Sequence, residues 1–252
     1  MTSDSYVLSI VNKYKRVDVD ISVTVFIYAN LKPLIKKWAG DNLIDDIEYS
    51  GSTAKGTATI LGSDVDIFIP LKNKDGNTLE YYYNGLFNAL SNYNPRKQNV
   101  SIRIEFNGYK IDIVPGRAID GYKNYFSLYK SKTGTWAQTN ISENIKLIKE
   151  SGRINEIVAI KVWRHRHSID MSSTLLELIV LRALKNHRTD NIANNVFTVL
   201  KFIGTELHTV SIVDPSNTNN ILTDDLTRAE KGVIVNKAQS SVAAQYWSEI
   251  IW

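Results

Sequence analysis

Between Asp64 and Leu71 the chain reads Asp-Val-Asp-Ile-Phe-Ile-Pro-Leu, and no other stretch restricts the fold as much. Val65, Ile67, Ile69 and Leu71 recur at every second residue, the period of a β-strand, so they share one face. Asp64 and Asp66 then project together from the other face. A strand with an apolar side needs partners along its edges and a layer over that side, which rules out an all-helical bundle. A second extended region follows in "NVSIRIEFNGYKIDIV": Val100, Ile102, Ile104 and Phe106 alternate up to Asn107-Gly108, and Tyr109, Ile111 and Ile113 alternate after it. Asn-Gly suits the left-handed backbone of a two-residue hairpin turn, so the two runs are expected to pair antiparallel. Asp112 lies between Ile111 and Ile113 and therefore sits on the opposite face, a third strand carboxylate.

Elsewhere the spacing is helical. Apolar residues from Ser5 to Trp38 fall mostly three or four apart, with a break expected near Pro33. "TLEYYYNGLFNALSNY" reads as a helix between the two strand regions. Further on, "SENIKLIKESG", "INEIVAIKVWRHRH", "SSTLLELIVLRALKNH" and "NIANNVFTVLKFIGTEL" are four helices, with "VDPSNTNNILTDDL" a loop before a last amphipathic helix. His165 and His167 are expected at a solvated helix end. The pattern predicts an α+β chain: a mixed or antiparallel sheet with helices over residues 1–125, then a helical lobe over 126–252.

Composition narrows the chemistry. The 252 residues include no cysteine, which excludes disulfides, thiolate metal sites and cysteine nucleophiles. No run approaches the roughly 20 apolar residues of a membrane span, and the first residues lack the order of a secretory signal. The expectation is a soluble, cytoplasmic protein without membrane partners. A net charge of +4 suits an anionic ligand such as a nucleotide or RNA. If the strands that carry Asp64, Asp66 and Asp112 are neighbours, three carboxylates converge and repel one another unless a cation neutralises them, and an all-oxygen set suits Mg²⁺, with Mn²⁺ as substitute. A pair of such ions can clamp the attacking and leaving oxygens of a phosphoryl displacement. Upstream, Gly51 and Ser52 form a turn whose amides and hydroxyl can hold phosphate oxygens. A lone Asp-x-Asp also reads as the solvated face of a strand, Lys161 as a lysine reaching solvent along its stem, and Ser173 as a helix cap.

With these residues in place, "GSTAKGTATILGSDVDIFI" together with "IDIVPGR" resembles the signature of polymerase-β-type nucleotidyltransferases. Within that superfamily "GTWAQTN", "IVAIKVWR", "SSTLLELIV" and "VDPSNTNNIL" are similar to segments of the bacterial CD-NTases and their oligoadenylate-synthase relatives. The resemblance covers about Ile44 to Leu222. It implies a polymerase-β-like catalytic lobe and a helical lobe with a cleft between them. It also implies that Asp64, Asp66 and Asp112 bind two Mg²⁺, that Gly51 and Ser52 cradle the triphosphate, and that Lys161 and Ser173 reach the donor nucleotide. The implied activity joins NTPs into a cyclic or linear oligonucleotide messenger for antiphage signalling, passed to a downstream effector and compatible with activation by RNA or protein. Nucleotide addition to tRNA, a toxin-type transferase and a catalytically silent nucleotide- or RNA-binding module are the alternatives.

Overall fold

The computed structural model of the chain describes residues 2–40, 42–62 and 64–252. Ser63, the serine of the Ser-Asp-x-Asp-Ile motif, lies outside the described residues. Helix α1 (Ser3–Tyr14) is capped by Thr2, whose side chain accepts from the Ser5 amide. The helical region expected up to Trp38 breaks after α1, where Asp20 caps α2 (Ile21–Phe26). At Pro33 the chain does not stop. A single π turn (Ile27–Leu31) carries α2 into α3 (Lys32–Ala39), placing the proline in the first turn of α3, where a missing N–H costs little.

Next come β1 (Glu48–Tyr49), a one-turn helix α4 (Gly51–Lys55), β2 (Val65–Leu71), α5 (Leu79–Ala89) and β3 (Arg96–Lys97). The Asn-Gly hairpin forms as expected: β4 (Ile102–Phe106) and β5 (Tyr109–Ala118) pair antiparallel, with Asn107 at φ 48° and Gly108 at φ 77°. β6 (Phe126–Lys130) and β7 (Thr135–Thr139) follow, then helices α6 (Ile141–Lys149), α7 (Ile154–Arg166), α8 (Ser173–Ala183) and α9 (Ile192–Glu206). The stretch expected as a loop carries a small hairpin, β8 (Val213–Asp214) and β9 (Asn217–Ile221), before α10 (Arg228–Ala243) and α11 (Trp247–Ile250).

The chain divides differently from the halves 1–125 and 126–252. One compact unit comprises residues 18–55 and 64–145, the other residues 1–17, 56–63 and 146–252. Two corrections explain the shift. The segment after residue 125 is a β-hairpin rather than helix, and β6 extends the sheet by pairing with β5. Its alternation of Phe126, Leu128 and Lys130 before the turn at Thr133-Gly134 is the signal that the helical reading passed over. The N-terminal helix, in turn, belongs with the helical unit: Val7, Ile10, Val11 and Tyr14 are buried in one cluster with α7 and α9.

In the sheet unit the strand order is β1-β2-β5-β4-β3, with β6 on β5 and β7 on β6. β2 and β5 run parallel, in a register that sets Val65 beside Ile111 and Ile67 beside Ile113. These four residues, with Ile69 and Leu71, are buried against Phe26, Ile27, Leu31, Ile35, Tyr83 and Leu86 from the helices. Burial of one strand face under helices fixes which residues point the other way. Phe68 is buried as well, over Gly116 of β5, where a Cβ would come within 2.6 Å of its ring.

Candidate active site

The parallel register of β2 and β5 places Asp66 directly opposite Asp112. Asp64 lies just before β2, two residues from Asp66, so all three aspartates come to one side of the sheet unit. α4 closes over them. The Ser50 amide donates to the Asp66 carbonyl at 2.8 Å, and the Ser52 amide donates to the Asp66 carboxylate. Gly51, at φ +55°, lies so close that a Cβ there would stand 1.9 Å from Asp66 Oδ2. Glycine is thus required for two reasons, a left-handed backbone and contact with a carboxylate. Gly51 and Ser52, predicted as a phosphate cradle, meet the aspartates here, and the Ser52 amide already serves Asp66.

Arg103 is the residue that sequence reasoning missed. It faces Asp112 across the β4–β5 pair and grips it with two bonds, Nε to Oδ1 at 2.8 Å and Nη2 to Oδ2 at 2.6 Å. The same Nη2 donates to Asp64 Oδ2 at 2.6 Å. One guanidinium therefore ties together carboxylates from two strands, in the fork geometry that makes such bonds strong. The signal was present in the Asn-Gly hairpin: Arg103 and Asp112 are equally far from the turn, so a two-residue loop sets them opposite each other. The hydrogen bonds and charge of Asp112, with Asp64 and Asp66 adding to them, raise the Arg103 pKa despite burial.

The Arg103 bonds go to Asp112 and Asp64, and the environment of Asp66 differs. Burial, then the charges of Asp112 and Asp64, push its carboxyl up to about 6, against the pull of Lys55 and of the Ser52 amide. The face holds more negative charge than its surroundings balance. Its donors are carboxylates alone, the chemistry that Mg²⁺ and Mn²⁺ prefer, so the residues fit a hard divalent cation. Among the described residues the side chains are not already drawn into a metal cage of three or more acidic or imidazole groups. Arg103 holds Asp64 and Asp112 instead.

Lys161 and Ser173 belong to the other unit and are engaged there. The Lys161 ammonium does not emerge from α7: it is 2% exposed, bonded to Glu177 Oε1 at 2.7 Å and to Thr57 Oγ1 at 2.9 Å. Thr57 in turn donates to Glu177 at 3.0 Å. Buried on every side from Glu156 to Trp163, α7 has no route to solvent for a lysine there, so the charge is met by a carboxylate from α8. The cap of α8 is Ser172, which accepts from the Leu175 amide, while the Ser173 hydroxyl accepts from Arg164 Nη1 at 3.2 Å. His167 is half-buried rather than solvated, with Nε2 2.8 Å from the Ile250 carbonyl and its ring against Trp163 and Trp252.

Residues 31–133, which contain Gly51, all three aspartates and Arg103, match the family model of the nucleotidyltransferase domain. Among solved structures, the CD-NTase CdnG of Bradyrhizobium diazoefficiens in complex with GTP superposes with a TM-score of 0.77 at 12% identity, over 96% of this chain and 91% of that one. The chain has the CD-NTase fold. The CdnE cyclic dinucleotide synthase of Elizabethkingia meningoseptica, solved with GTP and Apcpp, gives a TM-score of 0.71 at 14% identity, over 95% and 97% of the two chains. This CD-NTase fold is also similar to that of a cytoplasmic RNA terminal U-transferase, with a TM-score of 0.64 at 11% identity over 97% and 95%. No curated protein matches the chain by sequence. Among the described residues no helix is long and apolar enough to cross a membrane.

Proposed function

We propose that the chain is a template-independent nucleotidyltransferase that joins NTPs into a cyclic or linear oligonucleotide messenger and releases pyrophosphate. The observation that carries this reading is the placement of Asp66 opposite Asp112, with Asp64 beside them, inside a nucleotidyltransferase domain. Asp64, Asp66 and Asp112 would hold two Mg²⁺, which when bound supply charge for the triphosphate and ease ionisation of a ribose hydroxyl. Asp112 accepts the hydroxyl proton on its carboxylate. The freed ribose oxygen attacks the α-phosphorus, the bond from that phosphorus to the β-phosphate bridge breaks, and pyrophosphate leaves. The Gly51 backbone and Ser52 hydroxyl hold triphosphate oxygens in line for that attack, so the protein contributes position and charge rather than covalent chemistry. Lys161 and Ser173 support the helical unit through Glu177, Thr57 and Arg164. The CD-NTase neighbours solved with GTP favour a free nucleotide as acceptor, whereas the RNA U-transferase neighbour keeps an RNA end as the second reading.

The test is incubation of the purified chain with each labelled NTP and Mg²⁺ or Mn²⁺, with and without RNA, followed by phosphatase. A small phosphatase-resistant product is expected, together with pyrophosphate. Label found solely on added RNA selects the second reading, and absence of pyrophosphate under every condition rejects nucleotidyl transfer.

A further inference from the structure

Arg103 is set up to do more than brace a strand. Both oxygens of Asp112 and one of Asp64 are taken by a single guanidinium, and these are two of the three groups assigned to the metal ions. The side chain is largely shielded, as are both its partners, so these bonds are not loose surface contacts. We propose that Arg103 is a resident counter-ion of the carboxylate face, which divalent metal must displace, so that this arginine sets the metal concentration at which the site assembles. The inference rests on the metal-binding reading of the preceding subsection.

The physical argument has two parts. A cation that approaches Asp64 and Asp112 meets a fixed positive charge already seated on their oxygens. Metal and guanidinium therefore compete, and the competition is reciprocal: whatever the Arg103 bonds contribute to the metal-free face is subtracted from metal affinity. Asp66 stands outside the grip. The Arg103 bonds go to Asp112 and Asp64, so Asp66 offers the first cation an opening while its two neighbours are still held. The arrangement keeps three like charges together on adjacent strands when metal is scarce. It also predicts that assembly of the site is graded by the strength of the arginine fork rather than by the aspartates alone.

The experiment is Mn²⁺ titration of the full chain by calorimetry and by electron paramagnetic resonance, with thermal unfolding in EDTA alongside. Arg103→Met is expected to bind Mn²⁺ about tenfold tighter than wild type, within the usual range of coupling between two sites, and to unfold at lower temperature in EDTA. Structural damage alone would weaken binding, so a tighter Kd separates the two roles. Arg103→Lys keeps the charge but loses the fork, and is expected to fall between wild type and Arg103→Met; it carries the test if Arg103→Met does not fold. Equal or weaker Mn²⁺ binding in both variants, with wild-type binding that Asp66→Asn abolishes, overturns the displacement while leaving the metal site intact. Absence of Mn²⁺ binding in wild type and variants alike overturns the proposal together with the metal reading beneath it.

Discussion

Replacing Asp66 by asparagine should make the metal-free protein more stable and inactive. The carboxyl is raised from 3.8 to about 6 by burial and by the charges of Asp112 and Asp64. Between those two values the unfolded side chain is ionised while the folded one keeps its proton, so the folded state binds more protons and stability falls as pH rises. The contribution is whole below pH 4 and is lost by the time the pH has passed through 6. A shift of this size corresponds to about 3 kcal/mol of penalty carried by the ionised side chain at neutral pH. Asparagine is close in shape, still accepts from the Ser52 amide and never ionises, so it escapes that penalty. In EDTA at pH 7.5 the Tm of Asp66→Asn should exceed that of wild type by roughly 5–10 °C. The gap should close as the pH is lowered to 4. Thermal unfolding followed by circular dichroism across pH 4–8 measures it directly. Added Mg²⁺ should reverse the order, because only wild type has the full set of carboxylates to gain from the cation. A variant less stable than wild type at pH 7.5 in EDTA, or a gap that does not change with pH, would refute the view that Asp66 is held ionised at a cost.

Gly51→Ala would force a methyl group into Asp66 Oδ2 and a left-handed φ onto an alanine. A stability loss of about 1–2 kcal/mol is expected from the backbone alone, with nucleotidyl transfer falling about 100-fold as the carboxylate is displaced; steady-state rates and urea unfolding read the two effects. Glu177→Ala strands the Lys161 ammonium in the helical core and should cost about 3–5 kcal/mol in urea unfolding. Replacing both partners, Lys161→Met with Glu177→Leu, should recover most of that loss. If Lys161→Met instead abolished activity without lowering stability, Lys161 would be a nucleotide ligand rather than half of a buried pair.

Much of the sheet unit was legible in the residue order because strand logic is local. A period of two assigns faces to Asp64, Asp66 and Asp112, and Asn107-Gly108 sets the register of β4 on β5 without reference to anything distant. Gly51 and Ser52 were marked as a turn for the same reason. Arg103 was overlooked although its place opposite Asp112 follows from that register, because an arginine on a strand is ordinarily a solvated residue and carries no motif.

Other decisions were not local. The parallel pairing of β2 with β5 joins segments some forty residues apart, and it alone sets Asp66 beside Asp112. Whether α1 covers the sheet or the helices is a matter of which apolar face it completes, and Val7, Ile10 and Val11 would satisfy either pattern. Lys161 shows the limit most clearly. Its neighbours in sequence reveal that it lies on a buried helix, but the carboxylate that makes burial tolerable comes from Glu177, sixteen residues on in another helix. Periodicity determines which way a side chain faces. Only tertiary packing decides what it meets there, because the free energy of a buried charge depends on the partner that the fold brings to it.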